Sequence, residues 1–439
     1  MKRKILSIML TFALFFSLMA GCGTKSSNNG ESNSTATATK TVKITLLNSK
    51  AESQAQLEEV AKIFTKENPN IIVEVIPTAA DQTPFEKVIS MYAAGNAPTM
   101  AMIDPGEVSK FKDKFLDLSS EKWVSDAIDG ALNAATVDGK VIAFPFAVEG
   151  YGLIYNKAVL DKAFGGNFDP SSIRTRDALE EAFKKVEATG VKAIAIPPMD
   201  WSLGGHFLPI AYTAQSKDPA QVAQFLSDLK AGKVDLANNK VFNGLMDTFD
   251  MMKKYNIDKD DPLSATYERG PQLIGKGEVG FWFMGNWAWP QIKEFDTANE
   301  QYGFIPVPIS NNPDDYGNSG IPVGATKFIG IDKTQNSAEQ QDAAKKFLDW
   351  LVYSSTGQDM LVNKLNIIPA FKNITLQPQN PLAKSILQYV KSGNTLEFMT
   401  TLPPDHWPNV GASMQKYLAG KIDRKTLIDE IENYWKNVQ

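Results

Sequence analysis

Between residues 41 and 104 the chain alternates strand, helix, strand, helix and strand, and this alternation limits the possible folds more than any other feature. Residues 42–47 form an apolar run that ends at Asn48-Ser49-Lys50. Leu57, Val60, Ala61 and Phe64 then fall at i, i+3, i+4 and i+7, one apolar face of a helix that Asn68-Pro69 stops. Residues 71–76 read as a second strand ended by Pro77, and Phe85, Val88, Ile89 and Tyr92 line a second helix closed by Gly95. A third strand, 100–103, delivers Asp104 at its carboxyl end before Pro105-Gly106. Strands joined through helices imply a mainly parallel sheet covered on both faces. Asn48, Lys50, Glu52 and Asp104 then gather at the carboxyl edge, where open α/β sheets bind ligands.

A second ligand-facing stretch is 277–290, Gly-Glu-Val-Gly-Phe-Trp-Phe-Met-Gly-Asn-Trp-Ala-Trp-Pro, with three of the chain's eight tryptophans. Residues 279–284 read as a buried strand with Trp282 in the core. Gly285-Asn286 breaks it, and Trp287 begins a helix running to about Phe295. Asn286 and Trp287 are therefore placed at a cleft, an indole offering a flat apolar face and one donor to a sugar ring. Val137-Asp138-Gly139-Lys140 signals a hairpin. Runs at 141–144 and 152–155 flank 145–151, which carries Glu149. Residues 191–196 are a strand, and Trp201 after Pro-Pro-Met-Asp is a further aromatic candidate. A short strand, 304–308, leads to the polar, turn-rich stretch 311–320 with Asn318 and Ser319 as candidate contacts. Residues 323–331 make another strand, and Ala343, Phe347, Trp350 and Leu351 mark a core helix. Pro403-Pro404 stiffens the entry to a helix running to Leu418, placing Asp405, His406 and Trp407 at its start; an N-cap role for Asp405 is the plainer alternative. The last helix carries Leu427, Ile428, Ile431, Tyr434 and Trp435 as a core stripe.

The beginning of the chain reads differently. Lys2-Arg3-Lys4, an apolar run at 5–19 and Ala20-Gly21 have the layout of a secretory signal, 1–21, too short for a confident membrane span. Ala-Gly before Cys22 resembles a bacterial lipobox, with Met19 where leucine is usual. Cys22 is thus expected to be lipidated, and as the only cysteine it leaves no intramolecular disulfide. Residues 23–40 hold no large apolar side chain, so 22–40 is read as anchor and flexible tether. Removing 1–21 takes away three basic residues and no acidic one, leaving 42 basic against 50 acidic residues. That balance argues against nucleic acid, and membrane association is expected only through the anchor.

Catalytic patterns are missing. The two histidines, His206 and His406, stand far apart, and there is no HExxH, P-loop, GxSxG or GxGxxG after a strand. A carboxylate pair for glycoside hydrolysis is conceivable, Glu278 and Glu149 being the best placed. The expected role is binding rather than turnover, with no cofactor and no metal. Arginine is scarce, which disfavours an anionic ligand. Interleaved aromatics, amides and carboxylates favour a neutral polyhydroxylated molecule. A polyamine in an aromatic and acidic cage is the alternative, and a lipid-anchored glycosidase is a more distant one.

Several short motifs occur in a suggestive order. These are Gly-Asn-Ala-Pro at 95–98, Asp-Gly-Lys at 138–140, Leu-Ile-Tyr-Asn-Lys at 153–157, the stretch 277–289, Asn-Ile-Ile-Pro-Ala at 366–370 and the helix beginning at Trp407. Together, over about 41–439, they resemble the bacterial extracellular solute-binding proteins that include maltose-binding protein. The resemblance implies a type II periplasmic-binding-protein-like α/β fold of two Rossmann-like lobes, the chain crossing between them more than once. The lobes are expected at 41–148 plus 305–353 and at 149–304 plus 354–439, clamping ligand in the cleft between them. It further implies an oligosaccharide ligand, stacking by Trp407, and a kinship of the Asp405-His406 pair with binders of raffinose-type and α-1,6-linked sugars. Permease and ATPase subunits of an ABC importer are the implied partners. The protein itself is expected to be a monomer outside the cytoplasm.

Overall fold

The computed structural model describes residues 40–78, 83–400 and 402–438. The leader 1–21, Cys22 and all of the tether except Lys40 lie outside the described residues. The strands are β1 Val42–Asn48, β2 Ile71–Pro77, β3 Met100–Ile103, β4 Thr136–Val137, β5 Lys140–Val141, β6 Phe144–Asn156, β7 Lys192–Ala195, β8 Val279–Gly285, β9 Tyr302–Ile305, β10 Ile321–Ile331 and β11 Thr395–Glu397. Nine of them form one sheet in the order β2-β1-β3-β10-β6-β8-β7, with β11 beside β10 and β9 beside β6; β4 and β5 make a separate hairpin. In that hairpin Asp138 and Gly139 both have positive φ, 51° and 75°, as an Asp-Gly type I′ turn demands.

The strand–helix alternation at the start folds as its pattern predicts. β1 runs parallel to β2 and β3, and Leu57, Val60, Ala61 and Phe64 all bury on the inner face of the helix Gln54–Glu67. The sheet as a whole is mixed rather than mainly parallel. β10 pairs antiparallel with β3 and β6, and β6 pairs antiparallel with β8 and β9. The two longest strands, β6 and β10, run back against β3 and β8 and give the centre of the sheet its antiparallel character.

β6 organises the molecule. All thirteen of its residues are buried; it joins the expected run 152–155 to the residues 145–151 before it, whereas of the run expected at 141–144 only Phe144 belongs to it and Val141 lies in β5. Pro145 is accommodated opposite Phe328, where the β10 register is irregular, the setting in which a sheet tolerates proline. Residues 144–150 pair with β10, and residues 151–156 with β8 and β9. The changeover falls at Gly150, where a Cβ would lie 3.0 Å from the Pro322 carbonyl and 3.1 Å from Val323 and Ile386.

Side chains alternate across the second half of β6 and across β8, as the two-residue period of a strand requires. Ile154, Trp282 and Met284 join one buried core; Leu153, Tyr155, Phe281 and Phe283 join another. The first core also takes Phe64, Phe144 and Phe347, the second Phe207, Phe249 and Trp435. Leu361, Ile368 and Leu382 also pack into the first core. Among the described residues no helix is long and apolar enough to cross a membrane, and no cluster of His, Cys, Asp and Glu could hold a metal.

Candidate binding site

Three chain turns build the polar wall. At the end of β1, Asn48 accepts the Lys50 N–H at 2.8 Å and donates to the Lys50 carbonyl at 2.9 Å, so its own polar atoms fix the turn. Lys50 is thereby aimed inward, its Nζ 2.6 Å from Glu149 of β6 and 2.7 Å from Glu52. The β10 register shifts between Ala325 and Lys327, an irregularity that re-aims side chains. Thr326 donates to the other Glu149 oxygen, and Lys327 pairs with Asp104 at the end of β3.

Burial and charge oppose each other here. Burial alone would lower the Lys50 ammonium, but Glu149 and Glu52 together hold it above its ordinary value. Burial likewise works to raise Glu149, yet Lys50 and the Thr326 hydroxyl hold it below the usual carboxylate range. Lys327 is held up by Asp104 against its burial. Glu107, half-buried beside Asp104, is pushed up to about 7 by loss of solvent and by that neighbouring charge.

The opposite wall is aromatic. β8 ends at Gly285, and a short 3-10 turn, Asn286–Ala288, precedes the helix Trp289–Lys293. Asn286 is buried and accepts the Gly150 N–H at 3.0 Å, tying this turn to the changeover point of β6. Trp282 is core, as the strand pattern requires, whereas Trp287 is half-buried and packs against both cores. A Cβ at position 285 would lie 2.0 Å from its ring, so Gly285 is the seat on which the indole rests. His206 stands 5.1 Å from Trp287, 5.5 Å from Trp201 and 4.8 Å from Tyr151, centroid to centroid. Lys50, Glu149, Asn286 and Trp287 line one small pocket of about 10 Å³.

Some sequence candidates lie elsewhere. His406 is fully buried in the second core, between Tyr212, Tyr434 and Trp435, with Nε2 3.2 Å from the Tyr212 hydroxyl. The first turn of its helix faces the final helix, so His406 is a core residue and not a ligand contact. Asp405 is exposed and accepts from the Tyr434 hydroxyl at 2.9 Å; it makes no side-chain cap. Trp407 is half-buried and stays near the aromatic wall, since a Cβ at Gly205 would lie 3.4 Å from its own Cβ. Asn318 spends its amide on Ile309, Ser310 and Asn312, and Ser319 bonds the Tyr316 carbonyl. Both line a different cavity of about 540 Å³ beside Tyr155, Phe304 and Tyr389. Tyr155 lies six residues along β6 from Glu149, roughly 20 Å at 3.3 Å per residue. That larger cavity is therefore separate from the polar and aromatic walls.

Sequence reading missed Lys327, Thr326, Tyr151 and the placement of His206. The bulge that turns Thr326 and Lys327 leaves no compositional trace. Residues 203–207 form a single π-helical turn, a geometry frequent at functional sites, and its Leu-Gly-Gly-His-Phe sequence was the one available hint.

A mixed sheet flanked by helices, with polar and aromatic side chains gathered where its strands end or bend, belongs to the periplasmic-binding-protein-like α/β class. The chain belongs to the bacterial extracellular solute-binding protein family, whose model matches residues 59–385. It is similar to an uncharacterized ABC transporter extracellular-binding protein of Pyrococcus horikoshii, 26% identical over 424 residues, 90% of this chain and 87% of the relative. It is also similar to the multiple sugar-binding protein of Streptococcus mutans, 24% identical over 86% of each chain. Its fold is shared with the solute-binding protein RafE in complex with raffinose, at a TM-score of 0.73 and 20% identity over 90% of this chain and 99% of that one.

Proposed function

We propose that this chain is the lipid-anchored, extracytoplasmic substrate-binding protein of an ABC importer, and that it captures a neutral oligosaccharide. The observation that carries the reading is the aromatic wall of Trp201, His206 and Trp287 standing against the hydrogen-bonding wall of Lys50, Glu149 and Thr326. Indole faces suit the C–H face of a sugar, and charged groups already paired with one another can accept and donate to hydroxyls. The relatives named for sugars point the same way. Asn48 and Asn286 serve as positioning residues here, and Asp104, Glu52, Lys50, Glu149, Trp201, Trp287 and Trp407 are the proposed contacts.

The pocket beside Lys50, Glu149 and Trp287, about 10 Å³, has room for one water, and a saccharide would lie across the two walls beyond it. In this reading two lobes, 41–148 plus 305–353 and 149–304 plus 354–439, rotate about the crossing strands at Gly150 and Val323. The segment around Leu361 packs with the first core. Ligand touching both walls would favour their approach. Permease and ATPase subunits would then receive the loaded protein.

Four carboxylates, Glu52, Asp104, Glu107 and Glu149, favour a polyamine as the second reading. Against it, Lys50 and Lys327 already occupy three of them. The test is calorimetry with raffinose, stachyose, maltose and spermidine, followed by chromatography of the incubated sugar. Binding of a saccharide without turnover is expected. Tight binding of spermidine alone, or release of smaller sugars, would replace this reading with one of its rivals.

A further inference from the structure

The two histidines of the chain have opposite environments. His406 is sealed in the core and bonded to Tyr212. His206 is half-buried, sits in the π-helical turn Leu203–Phe207, and is ringed by Tyr151, Trp201, Trp287 and Phe398 at 4.8–5.5 Å. Among the described residues no protein group hydrogen-bonds either of its ring nitrogens, and neither nitrogen is sealed from solvent as His406 Nδ1 is. The Tyr151 hydroxyl behind it is fully buried and equally unpartnered. An imidazole held by aromatic packing alone keeps its nitrogens available to a ligand, and the Tyr151 hydroxyl beside it is a buried polar group without the partner such groups ordinarily find.

The charges that act on His206 are those of the opposite wall, Glu149, Lys327 and Asp104. Burial pushes its pKa down to about 4, with Lys327 adding to that push and Glu149 and Asp104 opposing it. At neutral pH the ring is therefore uncharged, one nitrogen a donor and the other an acceptor. Such a group can bridge a hydroxyl that donates and a hydroxyl that accepts, which neither an ammonium nor a carboxylate does alone.

We infer that His206 is a ligand-contacting, specificity-determining residue of the cleft, its neutral imidazole reading saccharide hydroxyls at the centre of the aromatic wall. This rests on the saccharide reading above. The experiment is calorimetry of the intact mature chain and its His206→Ala and His206→Gln variants with raffinose, stachyose and maltose at pH 7. It is joined by ¹⁵N spectra of the wild-type imidazole with and without saturating sugar. Losing two neutral hydrogen bonds should weaken binding about tenfold or more in the alanine variant. The glutamine variant, whose amide keeps a donor and an acceptor, should recover part of the loss. Thermal midpoints should fall in the alanine variant, which loses the packing on Tyr151, Trp201, Trp287 and Phe398, and should stay nearer the parental value in the glutamine variant. The imidazole nitrogens should shift on sugar addition in the wild type, a readout that stands even if a variant folds poorly. Parental affinity in a folded His206→Ala variant, or ¹⁵N resonances unmoved by a sugar that binds, overturns the assignment alone. A wild-type chain that binds none of the three sugars overturns the saccharide reading and this inference together.

Discussion

Trp287 lies between a core residue and a surface residue in its surroundings, and its truncation should show both characters. A stacked indole that buries about 100 Å² of apolar surface against a sugar is worth about 2.5 kcal/mol, partly offset by dehydration of hydroxyls. Trp287→Ala is expected to weaken saccharide binding about ten- to hundredfold by calorimetry. Because the ring also packs on both cores, its unfolding midpoint should drop, but by less than the ~3–5 kcal/mol of a fully buried tryptophan such as Trp282. His406 gives a pH prediction. Burial depresses it from 6.5 to about 3, so the unfolded chain takes up its proton first. Its contribution is complete above about pH 6.5 and is lost as pH falls towards 3, by up to ~1.4 kcal/mol per pH unit. Urea midpoints measured from pH 7 to 4 should fall in the wild type and fall less steeply in His406→Phe. Glu107, raised to about 7, works in the opposite sense over the upper part of that range, which is why the comparison with the variant is needed. The contrast between Trp282 and Trp287 was legible in the sequence, since alternation and a Gly-Asn break are local signals. The roles of the histidines were not. Which way each ring faces depends on Tyr151, Trp287 and Phe398 in one case and on Tyr212 and Trp435 in the other, all distant along the chain.

At the scale of elements, the polar wall depends on where three strands end or bend. β1 delivers Lys50, β6 delivers Glu149, and the irregular stretch of β10 delivers Thr326 and Lys327. Lys50 is 3% exposed and Glu149 5%, so neither charge has solvent to fall back on. Lys50→Met is expected to cost about 3–5 kcal/mol of stability by chemical denaturation, because it leaves a buried carboxylate unpaired. The double variant with Glu149→Met should recover much of that loss; additive losses would mean that the pair does not act as a unit. The β1 terminus and Asp104 could be read from the strand–helix alternation, which is a pattern of local composition. The pairing of Lys50 with Glu149, ninety-nine residues apart, and the turning of Thr326 come from strand register, which local composition does not encode. Gly-Asn-Ala-Pro at 95–98 was legible as a motif but not as a part. Ala97 and Pro98 offer their backbone to Gln335 and Asn336, so the motif fastens β3 to the end of β10.

For the whole molecule, the proposed leader and lipid anchor at Cys22 would hold the site outside the cytoplasm. Cys22→Ala expressed in a bacterial host is expected to leave the chain without lipid and to abolish its partition into detergent; unchanged partition would remove the anchor from the reading. The thirteen buried residues of β6 have a consequence for how the chain comes to be folded. Their partners are β8, β9 and β10, the last reaching Ile331, so the central strand lacks its full set of neighbours until three-quarters of the chain exists. Pairings this distant close slowly. A polypeptide whose middle cannot set early stays threadable while it is being made, which would suit the export proposed above.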